Sequence, residues 1–153
     1  MIEEGRAANA REWTRIQRDL TRAGEMEPDE REHLNKLIQE VIGAVYEVAR
    51  VLGAGFLEKV YERALVKELR LRGLRAEPQT PIQVLYKGDV IGEYFVDILV
   101  EEKLIVELKC VDRLANEHLA QCLNYLKGTG RHIALLVNFQ HPRVEWKRIV
   151  RDF

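Results

Sequence analysis

The sequence predicts a single α/β domain, a mixed β-sheet flanked by helices. Three observations carry that expectation. The first half of the chain repeats its apolar residues at helical spacing. From about residue 81 the period changes to alternation, with turn residues between the runs. After one more helical stretch, the run at 132–139 is apolar almost without interruption, as expected of a strand covered on both faces.

The 153 residues suit one domain and a short extension. The expected division is an N-terminal amphipathic helical extension at 1–28 and the domain at 29–153. In the extension, Trp13, Ile16 and Leu20 mark one helical face over 9–23, and Arg11, Arg15, Arg18 and Arg22 the other. The expectation is a docked helix with a solvated basic face; the functional alternative is a phosphate-contacting arm. A long helix follows from about Asp29, lined by Leu34, Leu37, Val41, Val45, Val48 and Leu52 and stopped at Gly53. A second is expected over 55–72, with Phe56, Val60, Ala64 and Leu71 on one side.

The alternating part divides into strands at 81–87, 90–100 and 104–109, an antiparallel meander whose first turn falls at Gly88 and Asp89 and whose second strand bends near Gly92. A helix at 114–127 ends at Gly128 and Gly130. The apolar strand comes next, then a short edge strand at 144–150.

Composition narrows the function. Net charge is −1, so a nucleic-acid partner needs a local basic patch. Two cysteines outside any C-x-x-C spacing read as reduced thiols. The longest apolar run, 133–137, is too short to span a bilayer, and the first residues lack an apolar signal core. A cytoplasmic protein with no membrane partner is expected. The four histidines show no metal-ligand spacing, and no Gly-rich phosphate loop is present.

Chemistry concentrates on two strands. In 104–109, Ile105, Glu107 and Lys109 share one face, and in 90–100 Asp97 lies on the face of Phe95 and Leu99. Residues directly opposite in an antiparallel pair share a face. A loop at 101–103 makes paired numbers sum to 204, which sets Asp97 against Glu107 and Phe95 against Lys109. A two-residue loop puts the carboxylates on opposite faces. Three-residue loops favour a left-handed residue, and this one has no Gly. Paired carboxylates in a strand need positive compensation. Lys109 supplies one charge, and a hard divalent cation, Mg²⁺ or Mn²⁺, suits the oxygen donors.

Two further motifs accompany these strands: Gly-Ala-Gly-Phe-Leu-Glu-Lys-Val-Tyr at 53–61, which places Glu58 and Tyr61 one helical turn apart, and Gln121-Cys-Leu-Asn-Tyr125. Taken in order with Asp97 and Val-Glu-Leu-Lys at 106–109, they resemble the GxxExxY branch of the PD-(D/E)XK nuclease superfamily, from about residue 34 to 150. The Gln-x-x-x-Tyr element is similar to the one in RecB-like nucleases. The resemblance implies a PD-(D/E)XK nuclease-like core of order αβββαβ with extra N-terminal helices. It implies metal ligation by Asp97, Glu107 and Glu58, and a Lys109 that positions the attacking water or stabilises the transition state. Gln121 would orient the site or the substrate, Tyr125 would contact nucleic acid or brace Gln121, and Tyr61 would serve substrate binding. Two departures stand out: Val96 occupies the place of the nominal proline, and Glu93-Tyr94-Phe95-Val96 lacks the basic residue expected before the Asp. The expected activity is metal-dependent hydrolysis of DNA, more than RNA, at single strands or ends. The alternative is a non-catalytic nucleic-acid or protein interaction module that keeps the fold.

Overall fold

A computed structural model describes residues 2–4, in backbone, and 27–151. The predicted helix at 9–23 and its arginine stripe lie outside the described residues. Within them the chain runs β1 (Ile2–Glu4), α1 (Pro28–Leu52), α2 (Glu58–Leu71), β2 (Ala76–Tyr86), β3 (Asp89–Val100), β4 (Leu104–Lys109), α3 (Asn116–Thr129), β5 (Ile133–Asn138) and β6 (Glu145–Val150). The strands form one mixed sheet in the order β1-β6-β5-β4-β3-β2. β4 and β5 are parallel and are joined through α3; the other pairings are antiparallel.

Helix α1 starts with a proline in its first turn beside Asp29 and Glu30, which suit the positive end of the helix dipole. It ends where Gly53, at φ 68°, donates its N–H to the Ala49 carbonyl. Its buried stripe is Leu34, Leu37, Ile38, Val41, Ala44, Val45 and Val48. With α2 it covers one sheet face through Ile98, Val100, Leu104, Val106 and Leu108. Helix α3 covers the other through Leu99, Ile105, Ala134, Leu136 and Ile149. β5 is buried at all six residues, as its nearly continuous apolar run predicts.

Several expectations need correction. α2 begins at Glu58, not 55, because Gly55 sits at φ 106° and Leu57 is extended. Phe56 therefore lies in the connecting loop, and the stripe phased on it is wrong. Phe56, Val60 and Leu71 are exposed, while Tyr61, Glu62, Leu65, Val66 and Leu69 face inward. β2 starts at Ala76 rather than 81. The strand takes in Pro78 as well as Pro81 because β2 is the sheet edge, where a missing N–H is tolerated. The β2–β3 turn is Lys87-Gly88, both left-handed (φ 47° and 87°), as tight hairpins require. The expected bend near Gly92 is a bulge: Val84 pairs with Gly92 and Leu85 with Val90, which leaves Ile91 as the extra residue. β6 is not an edge strand, since Ile2–Glu4 pairs along it.

Candidate active site

The site forms where β3 and β4 part. Their ladder runs Val100↔Leu104, Leu99↔Ile105 and Ile98↔Val106, each pair summing to 204, and then stops. It does not continue to the expected Phe95–Lys109 pair. At the next position the side chains replace the ladder. The Asp97 N–H donates to Glu107 Oε1 at 3.0 Å, and the Leu108 N–H donates to Asp97 Oδ2 at 2.7 Å. Each carboxylate is thus fixed by the backbone of the opposite strand. The three-residue loop forms without Gly because Glu101 and Glu102 both take left-handed φ, 51° and 57°. That conformation costs about 1–2 kcal/mol per residue. Neighbours hold it: the Arg75 N–H donates to Glu101 Oε1 at 2.6 Å, the Glu101 N–H to the Arg75 carbonyl at 2.9 Å, and Arg131 Nε to the Glu102 carbonyl at 2.9 Å.

Lys109 projects to the α3 side, where its Nζ donates to Gln121 Oε1 at 3.2 Å. Gln121 Nε2 donates in turn to the Tyr125 hydroxyl at 2.9 Å. The Tyr125 ring is buried, tilted against Tyr94 with centroids 6.0 Å apart. Below Lys109, Asn138 ties down the following loop: its Oδ1 accepts the Val111 N–H at 3.1 Å and its Nδ2 donates to the Val111 carbonyl at 2.7 Å. His118 accepts the Ala115 N–H at 2.9 Å and belongs to the start of α3.

Electrostatics single out the carboxylates. Burial, and then the neighbouring Asp97 charge, push the Glu107 carboxyl up to about 8. Burial also raises Asp97, against the pull of the Leu108 N–H and its hydrogen bond with Glu107. Glu58 is raised by burial and then by Asp97. Lys109 opposes the shift in all three. One ammonium therefore serves a cluster that holds more negative charge than it can balance. Hard oxygen donors in negative excess are what Mg²⁺ or Mn²⁺ binds, so the donor set fits a divalent ion.

The expected three-carboxylate convergence needs qualification. Among the described residues no three acidic, histidine or cysteine groups stand together as a ready metal cage. Asp97 and Glu107 meet; Glu58, first residue of α2, feels the charge of Asp97 without completing a cluster with them. Like charges hold apart until a cation compensates them.

Tyr61 is also corrected. It has 0% exposure and no surface for a substrate. Its hydroxyl donates to the Gly53 carbonyl at 2.6 Å and accepts the Phe56 N–H at 3.3 Å, and its ring stacks on Phe139 at 4.5 Å. Tyr61 therefore pins the loop that launches α2 and sets Glu58. Gly53 and Gly55, both left-handed, let that loop fold back over it. Tyr61→Phe should keep the stack and lose about 1 kcal/mol of stability. Tyr61→Ala should lose about 3–5 kcal/mol through the cavity. Urea denaturation of both variants checks the order.

Glu62, one helical turn after Glu58, has two partners that the sequence analysis did not name. Glu62 is buried, with Lys59 Nζ at 3.2 Å and Gln79 Nε2 donating at 2.9 Å. Lys59 was legible at i, i+3. Gln79 was not, since it arrives from β2 with an unusual left-handed φ of 50°.

Residues 35–149 match the sequence profile of the PD-(D/E)XK nuclease superfamily. The chain belongs to that superfamily, whose nucleases use divalent metals. No curated protein sequence matches at a significant level. A solved structure described as "Crystal structure of SSO0001" is similar over 95% of this chain and 79% of its own, at 15% identity and a TM-score of 0.48. Among the described residues no helix is long and apolar enough to cross a membrane.

Proposed function

We propose that this protein is a divalent-metal-dependent nuclease of the GxxExxY, RecB-like kind that hydrolyses phosphodiester bonds in DNA, at single strands or ends. The observation that carries the reading is the Asp97–Glu107 pair, backbone-anchored, half-buried at Asp97 and buried at Glu107, and under-compensated, with Lys109 beside it. Asp97 and Glu107 would hold Mg²⁺ or Mn²⁺, with Glu58 completing the set. Such an ion, when bound, lowers the pKa of a water and neutralises a leaving oxygen. Lys109 stabilises charge building on the phosphoryl oxygens. Gln121 keeps the ammonium aimed there, and Tyr125 keeps Gln121 in place.

The second reading, a non-catalytic interaction module, draws on the strand before Asp97, where Glu93 stands and no basic residue does. Against it, a binding module gains nothing from an acidic pair held half-neutralised in the sheet. Labelled single- and double-stranded DNA, and single-stranded RNA, should be incubated with the full chain, with and without Mn²⁺. Single-stranded DNA should be cut fastest, and only with the metal. Binding without cleavage of any of the three, metal present, favours the module instead.

A further inference from the structure

A groove of about 650 Å³ lies between α2 and β2. Its helical wall carries Lys59, Arg63, Lys67 and Arg70. The spacing places all four along one face of α2, over about 16 Å of helix. Glu62 is the one carboxylate in the lining, and Lys59 and Gln79 already engage it. Arg70 is partly occupied by the Ala76 carbonyl at 2.9 Å and by Glu77 at 4.0 Å. Arg63 and Lys67, in the middle, are exposed and form no ion pair among the described residues.

The groove is not separate from the carboxylate site. Glu62 lines it and also acts electrostatically on Asp97. Gln79, also in the lining, falls between the Pro78↔Ile98 and Thr80↔Val96 pairs, beside Asp97, so this row of cations adjoins a site that would otherwise repel a polyanion. In a chain of net charge −1 such a concentration of positive charge is local, as binding a polyanion requires. It also answers the missing basic residue on the strand before Asp97: the cations come from α2 instead.

We infer that the α2–β2 groove carries the phosphate backbone of the substrate strand next to the scissile bond, with Arg63 and Lys67 as its phosphate contacts. This rests on the nuclease reading above. It assigns the polarity-independent grip to α2 and leaves the chemistry to β3 and β4.

The test uses the full chain carrying Glu107→Gln to prevent cleavage. Anisotropy of a labelled single-stranded oligonucleotide is followed from about 50 to about 200 mM salt, the range over which phosphate contacts are read. Each contact to a single strand contributes about 0.7 to the slope of log K on log salt. Adding Arg63→Gln with Lys67→Gln should lower the slope by about 1.4, and Lys67→Gln alone by about half of that. Arg63→Lys should retain the slope. Lys36→Gln with Arg50→Gln, on α1 outside the groove, should leave it unchanged; thermal melting verifies that each variant is folded. An unchanged slope in the Arg63, Lys67 pair overturns the groove while a parent that cuts DNA leaves the nuclease reading standing. A protein that neither binds nor cuts nucleic acid overturns both.

Discussion

Glu107→Gln should raise, or at least preserve, the melting temperature of the metal-free protein while removing most of its response to Mn²⁺. Glu107 is 3% exposed and lies against Asp97. Its carboxyl is pushed from 4.5 up to about 8, chiefly by burial. An acid whose folded pKa exceeds its unfolded value holds its proton more tightly in the native state. Its contribution to stability is therefore full below about 4.5 and is lost as pH rises through about 8. Metal-free parent protein should accordingly lose stability across that window, and the amide variant should lose less. A divalent ion bound only to the folded state restores stability by mass action, about 2.7 kcal/mol at a hundredfold excess over its dissociation constant. The ion competes with the Glu107 proton, so its effect should grow with pH over the same window. Melting curves from pH 5 to about 8, with and without Mn²⁺, read both effects. A variant that melts well below the parent when metal-free would show that Glu107 is a structural partner rather than a frustrated one.

Lys109→Met should act with the opposite sign. Lys109 is the cation that eases the charge of Glu58, Asp97 and Glu107 alike. Its removal leaves the carboxylates with less compensation, so the metal-free variant should melt lower than the parent and most so at high pH. The ligands remain, so Mn²⁺ should still stabilise it, and by more than it stabilises the parent. Cleavage should fall by about 10²–10³-fold, the usual cost of removing one charge-stabilising donor. Gln121 holds the Lys109 ammonium in place, so Gln121→Ala should reproduce a smaller part of that fall without the change in melting. A Lys109→Met variant that cuts like the parent removes Lys109 from the chemistry.

How much of this was legible beforehand differs by element. β4 could be read to its ends because one strand had to satisfy both alternation and an adjacent turn. The register of β3 on β4 followed from parity together with a three-residue loop at 101–103, although that loop relies on two glutamates in a conformation usually left to glycine. The phase of α2 was misread because Phe56 imitates a buried helical residue while standing in the loop ahead of it. Tyr61 was given to the substrate through the family resemblance; the packing against Phe139 reveals it as an internal brace. The pairing of Gln79 with Glu62, and the groove next to it, depend on where β2 passes α2, which no local pattern encodes.

The most direct measurement is cleavage of one labelled single-stranded DNA, with Mn²⁺ present, by parent and Glu107→Gln proteins prepared side by side. The parent should cut the strand and the variant should not rise above background. Equal cleavage by the two would mean that the Asp97–Glu107 pair is not where the phosphodiester bond is broken.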